Sequence, residues 1–260
     1  MALRTNIDRI VYKKNISRGF QREKIEYLYL KLVWDSNDLE KIINNRLKLL
    51  MKEVYTNRSP TIYNILPDYT KKRGAPFQYM IDRTLMRPRD ILAFFNKCIL
   101  HSNGKIKFSW EIIQKGEEEY SRSRLRALND EWLENHGNIY ILYGFLKGQN
   151  LSFTLSDLHD KANSYFVDAI SNEEIKELSY EWQQRFNKFG NKFKPIPLLK
   201  EILATLHNIG LLGIKADSEH TVSYIHQSYN LIEPEDIDKL YPKFYVHPTF
   251  WKALNLKMKT

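Results

Sequence analysis

Apolar positions in this chain recur mostly at helical spacing. Ile91, Leu92, Phe94, Phe95, Cys98 and Ile99 follow Pro88 at such intervals, which predicts a buried helix. Pro88 suits its first position, where a missing N–H costs no intrahelical bond. Gly104 suits the left-handed residue after it. Upstream, Leu39, Ile42, Ile43, Leu47, Leu50, Met51 and Val54 form the apolar stripe of a helix starting after Asp35 or Ser36, either of which can cap exposed N–H groups. Phe77 to Leu85 reads as a short helix. Downstream, Phe108 or Ser109 begins a long helix through Trp110, Ile112, Ile113, Tyr120, Leu125, Leu128, Trp132 and Leu133, broken at Asn135-His136-Gly137. Before all of these, Tyr27 to Trp34 has the aromatic and β-branched composition of a strand.

Beyond Gly137 the pattern changes. Ile139 to Leu146 predicts a short helix, and Thr154-Leu155-Ser156-Asp157 is a capping box for the next one. Asn172 to Phe189 and Pro197 to Ile209 supply two more. Leu211 to Ile214, a polar turn at Asp217 to His220, and Val222 to His226 then read as a β-hairpin. Phe244 to His247 adds a strand, and Pro248 starts a last helix. Helices followed by a hairpin form the winged-helix arrangement. The expected fold is mainly α with small β, a helical lid-like domain at 35–137 followed by a winged-helix-like domain at 138–260, with 1–34 a basic loop and strand.

Composition narrows the class. Of the 260 residues, 43% are apolar and 13% aromatic, enough for a sizeable core and for two domains. The chain lacks a run of eighteen or more apolar residues and an apolar N-terminal signal segment, so a cytoplasmic, non-membrane protein is expected. A single cysteine, Cys98, excludes an intramolecular disulfide and reads as a core residue. The net charge of +9 is concentrated early. Residues 1–104 hold 20 Lys and Arg against 10 Asp and Glu, whereas residues 151–260 hold 13 against 14. The basic surplus therefore lies outside the hairpin-bearing half.

Candidate chemistry centres on arginines. Arg87 and Arg89 bracket Pro88 at a helix start, where positive potential and unpaired N–H groups already exist. Either an anion meets them there, or Asp90 and acids elsewhere pair them. Arg46 lies three to four residues from Ile42, Ile43 and Leu50, so it is expected along the apolar stripe, facing either an acid such as Asp82 or Asp90 or a ligand. Arg122, Arg124 and Arg126 follow Glu117-Glu118-Glu119 and read as pairs on an exposed face. Lys71-Lys72-Arg73-Gly74 reads as a basic turn in a connector. The seven histidines form no His-x-x-x-His or His-Glu-x-x-His unit, and no serine sits in a Gly-x-Ser-x-Gly elbow, so neither a metal site nor a catalytic residue is expected. His247, before Pro248, is expected to orient or cap the last helix.

Arg87-Pro88-Arg89-Asp90 resembles the sensor-2 position of AAA+ and STAND-type ATPases, in which an arginine starting a lid helix reaches ATP on a neighbouring core. Leu3-Arg4-Thr5-Asn6-Ile7 is similar to the end of a sensor-1 strand, with Asn6 replacing the usual Asp. Tyr27 to Trp34 and the helix ending near Arg46 look like the last core strand and first lid helix. In order, these segments resemble the C-terminal part of bacterial P-loop ATPases of FunZ type. The resemblance implies nucleotide-facing roles for Arg4, Arg46, Arg87 and Arg89, and makes 1–34 the remnant of an ATPase core.

Yet Gly-x-x-x-x-Gly-Lys-Ser/Thr occurs nowhere, and no apolar strand ends in Asp-Asp or Asp-Glu. The chain is expected to lack catalysis by itself. It would be a regulatory or interaction module, using ATP and magnesium only if an ATPase core is supplied by another polypeptide. Its partners would be that core or another protein subunit. The alternative is a winged-helix protein binding duplex DNA, with Pro197 to Ile209 in a groove and Lys188, Lys192, Lys194 and Lys200 near the phosphates.

Overall fold

The computed structural model describes residues 32–52, 60–189, 195–217, 219–228, 231–240 and 242–257. Arg4, Lys192, Lys194, Val54 and most of the expected Tyr27–Trp34 strand lie outside them; the described end, Leu32 to Trp34, belongs to no strand. Residues from Ser36 onward form one compact unit. It is mainly helical with a small four-stranded antiparallel sheet. No helix among the described residues is long and apolar enough to cross a membrane.

The first hydrophobic core is built by α1 (Ser36–Lys52), α2 (Ile62–Ile65), α3 (Pro76–Ile81), α4 (Pro88–His101) and α5 (Trp110–His136). Pro88 sits at the start of α4, and Ile91, Phe94, Phe95 and Cys98 form its buried face. Ser109 caps α5 by accepting from the Ile112 N–H, and Gly137 ends it at a positive φ of 72°. Phe94 stacks on Tyr120 with ring centroids 5.1 Å apart. Helices α4 and α5 approach closely at Gly116, where a Cβ would lie 2.7 Å from the Cys98 sulfur. Cys98 is a buried core residue, its thiol pushed up to about 12 by burial and the Glu117 charge.

On α1 the packed line runs through Leu39, Ile43 and Leu47. Arg46 departs from expectation. The neighbouring Ile42–Arg46 row runs out from under its cover, half-buried at Ile42 and exposed at Arg46. Arg46 therefore faces solvent and makes no ion pair among the described residues.

The second core gathers α6 (Tyr140–Tyr143), α7 (Leu155–Ser171), α8 (Tyr180–Phe189) and α9 (Pro195–Asn208) against the sheet. The Thr154 capping box forms, with Asp157 accepting from the Thr154 N–H at 2.7 Å. The expected single helix over 172–189 is instead a 3₁₀ turn, Glu174–Glu177, and then α8. Glu173 at φ 60° precedes the turn, extended Leu178 separates it from α8, and the Ser179 N–H donates to the His136 carbonyl.

Strands β1 (Ser152–Phe153), β2 (Leu212–Lys215), β3 (Ser223–Tyr224) and β4 (Lys243–Val246) lie in the order β1-β4-β2-β3. The hairpin pairs Gly213 with Tyr224, while Leu212 pairs with Val246 in β4. The second hairpin strand is shorter than its composition suggests, because Ile225–Ser228 turns into α10. Helix α11 (Pro234–Leu240) was not legible beforehand. After β4 the chain makes only a 3₁₀ turn, Pro248–Phe250, capped by His247, whose Nδ1 accepts from the Thr249 N–H.

Candidate functional site

Helix α4 opens against the middle of α5, which fixes where Arg87 and Arg89 project. Arg87 is the residue before the first helical position, and Arg89 stands one residue inside. Between them and α5 lies an ionic cluster. Glu131 receives Arg89, takes both ends of Arg124 at 3.2 and 3.3 Å, and lies 3.8 Å from Arg87. Asp90 lies 3.6 Å from Arg89 and 3.8 Å from Arg124. Three guanidinium groups thus face two carboxylates.

Burial divides their roles. Asp90 and Arg124 are almost wholly covered, whereas the side chains of Arg87 and Arg89 keep 45% and 56% of their exposure. The covered pair is anchored and the outer two arginines remain open to solvent. Burial and the neighbouring Arg124 lower the Arg87 pKa. At Arg89 burial works in that direction too, but the bonds and charges of Glu131 and Asp90 together outweigh it and raise the pKa. Burial of Glu131 is likewise outweighed by Arg124, Arg89 and Arg87 together, which lower its carboxyl pKa. Asp90 Oδ2 and Arg124 Nε have no hydrogen-bond partner among the described residues. Such buried, incompletely paired groups cost stability, so the site retains electrostatic strain.

The C-terminal segment closes the cluster's inner side. Thr249 donates its hydroxyl to the Arg83 carbonyl at 2.8 Å, and the Ala253 N–H donates to Ser121 Oγ at 3.0 Å. The His226 and His247 rings meet with centroids 4.9 Å apart, beside Tyr224. Burial, and secondarily Arg87, lowers the His226 pKa to about 4; burial also holds the His247 ring well below the usual imidazole range. Both rings are therefore neutral near pH 7. No group of three or more metal-ligating side chains occurs among the described residues.

Several site residues escape sequence reading. Arg124 and Glu117 were expected on an exposed face, yet both are buried. Glu117 accepts from Arg83 Nε at 2.9 Å and from the Tyr79 hydroxyl at 2.7 Å. Only the outer Arg122–Glu118 pair forms the expected surface bridge. One signal was available: Ile113, Glu117, Tyr120, Arg124 and Leu128 follow three- and four-residue steps, which puts both charged residues on the apolar face.

The other proposed basic contacts separate. Lys188 is exposed on α8, but Lys200 is committed to Asp238 of α11. No residue from Leu198 to Gly210 is exposed, because α7, α8 and α11 pack around α9. Asn208 also exchanges two hydrogen bonds with the Ile232 backbone. The outer face of α9 is half-buried at Lys200, Glu201, Thr205 and Asn208 rather than open.

Fold and cluster together define a helical module carrying an arginine-rich helix start, joined to a small α/β region. Residues 37–129 match the family model described as the FunZ-associated C-terminal helical domain. That span runs from α1 into α5 and includes Arg87, Arg89, Asp90 and Arg124 but stops short of Glu131. No curated protein and no solved structure matches the chain.

Proposed function

We propose that this chain is the C-terminal module of a FunZ-type P-loop ATPase system, acting in the cytoplasm as a regulatory and interaction element for an ATPase core on another polypeptide. The carrying observation is the excess of guanidinium over carboxylate at the start of α4, within the region matching the FunZ-associated domain. Arg87 and Arg89 would exchange Glu131 for the phosphates of ATP held by the core. The core would supply the phosphate-binding loop and the magnesium ligands, which account for most of a nucleotide site. The region after Gly137 would serve as a winged-helix-like docking unit, a reading supported by helices α7 to α9 followed by a hairpin in an antiparallel sheet. Protein docking is favoured over DNA reading because the outer face of α9 is half-buried and its Lys200 is paired with Asp238.

The test begins with ATP and magnesium titrated into the chain alone, where submicromolar binding is not expected. The chain is then co-expressed with a P-loop ATPase encoded beside it and nucleotide turnover is measured. Arg87→Ala with Arg89→Ala should change turnover by an order of magnitude or more, the scale of a lost charge-assisted contact to a transferring phosphate. Unchanged turnover, or submicromolar ATP binding by the isolated chain that survives Arg89→Ala, would overturn the proposal.

A further inference from the structure

The basic turn between α2 and α3 borders a pocket of about 510 Å³ that includes none of the Arg87–Arg89 cluster. Its lining brings together Lys72 and Arg73 from the turn, Arg83 after α3, Gln114 of α5 and Lys252 from the C-terminal segment, with Asp82 as the sole acid. Arg83 is already balanced by Glu117. Lys72, Arg73 and Lys252 make no ion pair among the described residues, and Asp82 is engaged by the Gln78 amide at 2.6 Å. The pocket therefore carries two positive charges more than its own carboxylate offsets.

The turn is also built rather than loose. Thr70 and Gly74 exchange backbone hydrogen bonds at 3.3 and 2.7 Å, and Arg73 N–H donates to Thr70 Oγ1 at 3.2 Å. Gly74 adopts φ +75°, which a side chain would strain. Arg73 lies over the Trp110 ring, its guanidinium carbon 5.4 Å from the centroid. Arg73, held in place before a ligand arrives, loses little side-chain freedom on binding.

The geometry points to a binding site for the diphosphate group of a free small molecule. A single carboxylate would leave the charge excess half unmet, and the volume exceeds what one phosphate fills. Two phosphoryl groups offer acceptor oxygens in several directions, matching cations that converge from three segments and an amide at Gln114. The aromatic wall does not select a base, because Arg83 covers the Tyr79 ring at 3.4 Å. Recognition is thus of the phosphates. This site is independent of the Arg87–Arg89 cluster.

The experiment is isothermal titration of the full chain at low ionic strength with inorganic pyrophosphate, citrate and a short oligothymidylate. Pyrophosphate should bind, and Arg73→Ala with Lys252→Ala should weaken it by about tenfold or more, the scale of two lost charge-assisted contacts. Arg122→Ala with Lys176→Ala removes the same charge elsewhere on the surface and should leave binding unchanged. Pyrophosphate binding without comparable oligothymidylate binding would support a free diphosphate, and oligothymidylate binding as tightly as pyrophosphate would overturn it. Citrate binding as tightly as pyrophosphate, no pyrophosphate binding, or equal losses in the two double variants would overturn the inference. Thermal melts of both variants verify that each remains folded.

Discussion

Glu117 and Arg83 offer the sharpest test of how the first core is held. Glu117 is 1% exposed, and Arg83 places its Nε 2.9 Å from the carboxylate. Removing one partner of a buried ion pair typically costs about 3–5 kcal/mol, because the other is left uncompensated. Arg83 borders a pocket and keeps the Tyr79 carbonyl at 3.1 Å, so Glu117→Met should cost near the lower limit, about 3 kcal/mol. Arg83→Met strands the more deeply covered carboxylate with only the Tyr79 hydroxyl, and should cost about 4 kcal/mol or more. The double Met variant replaces both charges by apolar volume and should be less destabilised than either single variant, giving a coupling energy above roughly 4 kcal/mol. Urea denaturation followed by tryptophan fluorescence, with unchanged m-values, measures all three. Additive costs in the double variant would refute a coupled ion pair.

Acid should weaken the fold through its neutral histidines. Burial, with a smaller effect of Arg185, lowers the His136 pKa to about 4, as happens at His226. Because both folded values lie below the ordinary 6.5, the unfolded chain takes protons first as pH falls; stability is complete above about 6.5 and is lost between 6.5 and 4. The loss is at most about 1.4 kcal/mol per pH unit for each histidine, and His226→Phe should flatten the pH profile of the melting temperature, a steeper profile being the contrary result. Gly116→Ala puts a Cβ 3.0 Å from the Cys98 backbone nitrogen as well as against its sulfur, so it should cost about 1–3 kcal/mol by denaturation, and Cys98→Ala should not restore all of it. Duplex-DNA affinity should be weak and should fall linearly on logarithmic axes with added salt. Fluorescence anisotropy should find it unaltered by Lys200→Ala, whose lysine is already held by Asp238.

What could be known from the residues alone was local. Pro88 followed by apolar residues at helical spacing specifies α4, Ser109 and Thr154 specify helix starts through their own hydroxyls, and Gly137 specifies a stop. These signals lie within a few residues of the features they set, so they survive without knowledge of the fold. Arg87, Arg89 and Asp90 were legible as a site for the same reason. Their partner Glu131 lies more than forty residues away on α5 and was not. Tertiary packing also decided the fate of charges that periodicity left ambiguous. Arg46 sits beside an apolar stripe but beyond its cover, whereas Arg124 and Glu117 lie under α4 and Tyr79, where buried charge must find an opposite charge. The amphipathic stretch at Pro197 to Ile209 has the form of a reading helix. Only the fold reveals that α11, whose sequence gives little helical pattern, covers it and claims Lys200. The basic pocket is likewise tertiary, since Lys252 joins Lys72 and Arg73 across most of the chain's length. Local chemistry determines where helices begin and end, but burial and charge balance depend on which surfaces meet.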